Sequence, residues 1–297
     1  MFRGSLVAIV TPMTADGSLD WPAWDRLLDF HVHEGTDGIV IAGTTGESPA
    51  LSLEETEELT RRAVLRCSGK LTLIVGAGTH ATASTVARTR VLSQLGADAV
   101  MLVTPYYNKP PQEGLYRHFM AAADASAVPI VLYNVPSRTA VDLLPATIAR
   151  LARHPRIAAV KDASAEVSRV RELLAACPAE FAVLSGDDAT AIDWIAEGAR
   201  GVISVSANVA ARRMHEACVA ALGGDLASAR AMDADLRLLH RDLFVEANPI
   251  PVKWAVARMG LIGNAIRLPL VELSPAHREP VLRAMQAAGI RLEDQAA

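Results

Sequence analysis

Eight short apolar runs, rich in β-branched residues and ending in small or polar side chains, punctuate the first two-thirds of the chain. They are SLVAIVTP (5–12), GIVIAGTT (38–45), LTLIVGAG (71–78), AVMLVTPYY (99–107), PIVLYNVP (129–136), IAAVKDAS (157–164), FAVLSGDD (181–188) and GVISVSAN (201–208). A strand with one face in water alternates apolar and polar residues. Near-continuous apolar character instead means strands covered on both faces, as in a parallel sheet. Between the runs lie segments of helical periodicity such as LDWPAWDRLLDFHVHEG and SLEETEELTRRAVLRCSG. In the second, Ser52 and Glu55 have capping-box spacing, and Gly35, Gly69 and Gly96 fall where such helices should stop. Eight β-then-α units of roughly 20 to 35 residues predict an α/β fold, a (β/α)8 TIM barrel rather than an open doubly wound sheet. After Asn208 no strand-like run remains. From about residue 225 the chain reads as amphipathic helices broken by Asn248-Pro249-Ile250-Pro251. The expected division is a barrel over 1–224 and a C-terminal helical domain over 225–297.

Composition narrows the partners. A net charge of −4 supplies no basic field for nucleic acid or anionic lipid. Cys67, Cys177 and Cys218 are scattered and odd in number, which fits neither a disulfide framework nor a metal knuckle. No run approaches a membrane span, and MFRGSLVAIVTPM lacks the pattern of a signal peptide. A soluble, cytoplasmic protein is expected. Positive charge is carried almost wholly by arginine: of 29 basic residues only Lys70, Lys109, Lys161 and Lys253 are lysines. Lysine can lose its proton when desolvated and arginine in practice cannot, so a scarce lysine is a candidate for chemistry.

Barrel active sites are built from the C-terminal ends of the strands. Lys161 ends the run Ile157-Ala158-Ala159-Val160, so its stem should lie against apolar walls. Burial disfavours the ammonium and favours the free amine that attacks a ketone. Two other readings stay open here, a pair with Asp162 and a side chain that reaches the rim. Lys70 follows a glycine at a helix end, Lys109 lies in a proline-rich loop and Lys253 lies in the helical appendage. Tyr133, the pair Tyr106-Tyr107 and Thr44 are hydroxyls at strand ends that could relay protons, or could pack at the rim. Gly43-Thr44-Thr45-Gly46 is either a carboxylate cradle or a tight turn. Arg138 suits a bidentate carboxylate clamp, although surface duty is the default for an arginine in this chain. Asp187-Asp188 reads as a helix cap. His31-Val32-His33 is no metal pair, because positions two apart on a helix do not share a face. No metal or cofactor site is expected.

Read together, the motifs GSLVAIVTPM, GTTGES (43–48), TPYYNKP (104–110), YNVPSRT (133–139), LSGDD (184–188), GVISVSANVAAR (201–212) and FVEANPIPVKWA (244–255) resemble the dihydrodipicolinate synthases, among the pyruvate-dependent class I aldolases and lyases. The likeness runs end to end. YNVPSRT and LSGDD are similar to the synthases rather than to sialic-acid lyase relatives. The resemblance implies that Lys161 forms a Schiff base with pyruvate, and that Thr44, Tyr133 and Tyr107 form a proton relay with Tyr107 lent by a neighbouring subunit. Thr45 would hold the pyruvate carboxylate and Arg138 that of L-aspartate 4-semialdehyde, while Gly186 and Ile203 line the site through backbone groups. It also implies a homotetramer, a dimer of dimers, serving diaminopimelate and lysine synthesis. The alternative is the same imine chemistry on another aldehyde or 2-oxo acid. A non-catalytic binding barrel is disfavoured by the retention of Lys161, Tyr133, Tyr107 and Thr44 together.

The sequence departs from the pattern in two places. Asp162 and Ala165 stand where many members have Glu and Gly. At the L-lysine feedback site that the resemblance implies at the dimer interface, Leu53, Thr56 and Ser84 stand where feedback-sensitive members carry histidines or an acid, while Ser48 and Tyr106 remain. Loss of a carboxylate partner for the effector amine predicts weak or absent inhibition by L-lysine.

Overall fold

The computed structural model describes residues 2–292. Eight parallel strands close into a barrel in chain order: β1 (Gly4–Ala8), β2 (Gly38–Ile41), β3 (Thr72–Gly76), β4 (Ala99–Val103), β5 (Ile130–Asn134), β6 (Ile157–Asp162), β7 (Ala182–Ser185) and β8 (Gly201–Ser204). Seven of the expected runs contain their strands, and β1 begins one residue before the run 5–12. Between and around them run α1 (Trp21–His33), α2 (Leu53–Cys67), α3 (Thr82–Leu92), α4 (Gln112–Ala125), α5 (Pro136–Thr139), α6 (Pro145–Leu151), α7 (Ser168–Ala176), α8 (Ala191–Ala196) and α9 (Ala211–Leu222). Three helices follow: α10 (Leu226–Asp242), α11 (Ile250–Arg258) and α12 (Pro275–Ala287). None of the described helices is long and apolar enough to cross a membrane.

The apolar strands fill two layers. Leu6, Val40, Ile74, Met101, Val131, Leu184 and Ile203 face the barrel interior. Their neighbours Val7, Ile39, Leu73, Val100, Leu132, Val183 and Val202 face the helices. Burial on both sides removes the polar alternation, as expected of a barrel strand. On β6 the pairing skips Ala158: Ile130 lies opposite Ile157, and Val131 opposite Ala159. This bulge re-phases the strand. Ile157 packs outward while Ala159 packs inward, so Lys161, two residues on, shares the inner face with its register partner Tyr133.

Local signals hold where the chemistry demands them. Ser52 and Glu55 form the reciprocal capping box that opens α2, at 3.1 and 2.9 Å. The C-terminal helices share one apolar core with the helical layer, through Leu236, Leu239, Val252 and Val281. The loop after α10 then returns to the barrel mouth.

The two histidines of α1 are separated by burial. His31 is fully buried with Nδ1 2.9 Å from Thr36 Oγ1, whereas His33 lies in water beside Glu34. Burial lowers the His31 pKa to about 3. The folded state therefore holds the ring neutral, while the unfolded chain protonates it below about pH 6.5. The stability carried by neutral His31 is complete above that pH and falls as acid is added, by about 2 kcal/mol at pH 5. Denaturant midpoints at pH 8 and pH 5 should show this loss in the wild type and a smaller one in His31→Gln. An equal acid loss in the two proteins would rule His31 out as its source.

Candidate active site

Lys161 is 5 % exposed, and its Nζ lies 4.2 Å from the centroid of the Tyr133 ring. The π face there would attract the cationic iminium formed on that nitrogen. Among the described residues no hydrogen bond or ion pair ties up the amine. The neighbouring carboxylate is committed elsewhere. Asp162 is fully buried, pairs with Arg169 at 3.0 Å, and accepts from Asn134 Nδ2 at 3.0 Å and from the Ser164 N–H at 2.9 Å. Of the readings left open by the sequence, the Lys161–Asp162 pair is therefore not the one observed, and the low exposure excludes a rim position. Gly186 makes room for the lysine stem, since a Cβ there would stand 3.1 Å from Lys161 Cε and 2.8 Å from Ala163 Cβ. Its N–H donates to Asp162 O at 2.8 Å. Ile203 is buried on the inner face of β8.

A cavity of about 420 Å³ has Thr44, Tyr133 and Arg138 in its wall together with Ser48, Ser84, Arg88 and Tyr106; Lys161 is not in that wall, and Tyr133, whose ring it faces, links the two. Thr44 is half-buried, and Tyr133 is buried with only 5 % exposed. Arg138, on the short α5, donates from Nη2 to the backbone carbonyl of Asn248 at 3.2 Å. Thr45 is buried and accepts from Asn248 Nδ2 at 3.0 Å. Tyr107 stands apart. It is 92 % exposed at φ +74°, outside the cavity wall, and within one chain it is not brought to Lys161. Its neighbour Tyr106 turns inward and packs edge-on against His80 at 5.2 Å.

Two carboxylates at the mouth act differently from the cap expected for Asp187-Asp188. Asp187 accepts from the Thr190 N–H at 3.2 Å, holding the turn before α8. Asp188 reaches away from its own helix and accepts from the Val205 and Ser206 N–H groups, each at 2.9 Å. It thus fixes the 3-10 turn Ser206–Asn208 after β8. Ala165 has φ +61°, a left-handed conformation that costs a non-glycine residue about 1–2 kcal/mol, at the position where the family pattern has glycine.

Sequence reasoning missed a brace behind the Gly43–Ser48 loop. Glu47, at φ +58°, and Lys253 of α11 form an ion pair with both side chains buried. The second Glu47 oxygen accepts from the Arg267 N–H at 3.1 Å. The Arg267 guanidinium in turn donates to the carbonyls of Gly17 at 2.9 Å and Ala50 at 2.7 Å, and pairs with Glu55. The sequence places Lys253 in the helical appendage and marks no role for it. The same scarcity of lysine that marks Lys161 was the available signal.

A closed (β/α)8 barrel bearing a lysine on the inner face of a strand end is architecture suited to Schiff-base lyases, and comparison with known proteins places the chain in that class. The chain belongs to the Dihydrodipicolinate synthetase family, whose model matches residues 1–288. It is 54 % identical over 290 residues to the 4-hydroxy-tetrahydrodipicolinate synthase of Nitrosomonas eutropha, covering 98 % of this chain and 99 % of that one. It is 52 % identical over 290 residues to the enzyme of that name from Methylococcus capsulatus, covering 98 % and 100 %. Among solved structures, the chloride-inhibited dihydrodipicolinate synthase of Acinetobacter baumannii complexed with pyruvate superposes with a TM-score of 0.96 at 46 % identity, covering 98 % of this chain and 100 % of that one.

Proposed function

We propose that the protein condenses pyruvate with L-aspartate 4-semialdehyde to 4-hydroxy-tetrahydrodipicolinate, the first committed step toward diaminopimelate and lysine. The observation that carries the reading is the buried, unpaired Lys161 amine beside Tyr133. The amine adds to C2 of pyruvate and the carbinolamine loses water to give an iminium, which draws electrons from C3. Loss of a C3 proton gives an enamine, and C3 bonds to the aldehyde carbon of the second substrate, whose oxygen takes a proton. The amine of that substrate then closes the ring on C2 and releases Lys161. Thr44, Tyr133 and Tyr107 carry the protons, Thr45 holds the pyruvate carboxylate, Arg138 binds the second carboxylate, and Gly186 and Ile203 line the site.

The exposure of Tyr107 supports its donation to a second copy of the chain, as a homotetramer built of paired subunits requires. Residues 1–224 serve as the catalytic barrel and residues 225–297 as an appendage bracing its mouth; 293–297 lie outside the described residues. The protein acts in the cytoplasm.

Arg138→Leu tests the choice of aldehyde. The KM for aspartate semialdehyde should rise about a hundredfold, since a charged partner is lost, while borohydride trapping of pyruvate on Lys161 persists. An unchanged KM would remove Arg138 from recognition and reopen the choice among related aldehydes.

The cavity also bears on feedback. Arg88 lines it and has no carboxylate at ion-pair distance among the described residues; its Nη2 lies 3.4 Å from Thr56 Oγ1. No Asp or Glu is in the cavity wall. A lysine side chain entering there meets a like charge and no acid. Initial rates should hold within about twofold in millimolar L-lysine, because electrostatic complementarity is missing. Strong inhibition would overturn this.

A further inference from the structure

Thr45 and Arg138, assigned above to the two substrate carboxylates, are joined through one residue that lies far from both in sequence. Asn248 Nδ2 donates to Thr45 Oγ1 at 3.0 Å across a separation of 203 residues. Its backbone carbonyl accepts from Arg138 Nη2 at 3.2 Å across 110 residues. Asn248 is only 6 % exposed, and its Oδ1 is buried without a hydrogen-bond partner among the described residues. A buried amide left half satisfied asks for an explanation.

The direction of the Thr45 contact shows what the other end of the amide does. A hydroxyl has one proton to donate and two lone pairs to accept with. The Asn248 amide occupies a lone pair, and no acceptor among the described residues takes the Thr45 proton. That proton is left for a substrate. The segment holding Asn248 is itself fixed, because Lys253, further along the same segment, is paired with Glu47 two residues beyond Thr45. Loop and segment therefore clasp at two points.

We propose that Asn248 is a positioning residue for carboxylate recognition: its amide commits the Thr45 hydroxyl proton to the pyruvate carboxylate, and its main-chain carbonyl steadies Arg138. The inference rests on the assignment of Thr45 to pyruvate made above. It separates the two substrates, since a side-chain substitution removes the contact to Thr45 and retains the carbonyl that holds Arg138. It also separates binding from turnover, because Asn248 moves no proton of the reaction.

The test compares Asn248→Ala, Asn248→Asp, Thr45→Val and the double variant Asn248→Ala/Thr45→Val in the full-length protein. Two quantities are measured, the pyruvate concentration for half-maximal borohydride trapping at Lys161 and the steady-state KM values. Asn248→Ala should raise the pyruvate values about tenfold, and Asn248→Asp, whose carboxylate takes the Thr45 proton and repels the substrate, about a hundredfold. Turnover at saturating pyruvate should stay within about threefold, and the KM for aspartate semialdehyde should not move. In the Thr45→Val background, Asn248→Ala should add nothing further. A wild-type pyruvate dependence in folded Asn248→Ala overturns the proposal, and so does an effect undiminished without the Thr45 hydroxyl. Should either Asn248 variant fail to fold, Asn248→Ser, too short to reach Thr45, carries the same comparison. A wild-type protein giving no adduct at Lys161 would instead sink the assignment of the site, a result distinct from either of these.

Discussion

Lys161→Ala is expected to lower turnover about 10⁵-fold, the scale seen when a covalent nucleophile is removed from a site whose other groups remain. Borohydride with pyruvate should label the wild type on the peptide containing Lys161 and leave the variant unlabelled. The effect is large because nothing nearby can substitute. The other three lysines are placed elsewhere: Lys253 is paired with Glu47, Lys70 donates to the Arg66 carbonyl at 3.1 Å, and Lys109 is exposed in the loop beyond β4. Stability should hardly change, since the Lys161 amine makes no bond that alanine would break, and the thermal midpoint distinguishes lost chemistry from lost fold. A labelled alanine variant, or one retaining a tenth of the activity, would be incompatible with an imine at this position.

The second large effect is expected far from the reacting atoms. Lys253→Met leaves the Glu47 carboxylate buried without its cation, and breaking a buried pair on one side costs about 3–5 kcal/mol. Burial lowers the Lys253 pKa, while Glu47 acts to raise it; removing either partner therefore strands the other. The double variant Glu47→Leu/Lys253→Met should recover part of the loss, because no buried charge is left unpaired, although the Arg267 N–H then lacks its Glu47 acceptor. Denaturant unfolding of the three proteins gives the comparison. A single-variant loss below about 1 kcal/mol would show that water or a rearranged partner compensates the carboxylate.

These residues also mark where sequence reading ends. The eight strands were legible because burial on both faces leaves a continuous apolar signature. That signature overran the strands: Ile9 and Val10 lie beyond β1 and are fully buried, so hydrophobicity alone could not say where pairing stopped. Lys161 was legible from its place at the end of such a run. Lys253 was not, because Ile250 through Val256 are all buried and a helix enclosed on every side shows no polar face against which a buried charge stands out. Its partner lies 206 residues away. In the sequence Asn248 is one residue of a proline-rich break, and its bond to Thr45 is visible only once the chain has folded back on the mouth. Tyr107 was placed on another subunit by resemblance alone; its exposure within one chain is the structural counterpart of that assignment.

The skipped pairing at Ala158 decides which face the reactive amine takes. An apolar strand covered on both sides tolerates a one-residue slip in hydrophobic terms, since either face accepts Val, Ala or Ile. Chemistry does not tolerate it. With regular pairing from Ile157 onward, Lys161 would point into the helical layer and Val160 into the barrel. Deletion of Ala158, by contrast, would remove the bulge and leave Val131 opposite alanine and Tyr133 still opposite the lysine, so the amine would keep its place in the barrel. The bulge thus absorbs one residue of length between Ile157 and Lys161, and a chain one residue shorter there can still present its amine to the barrel.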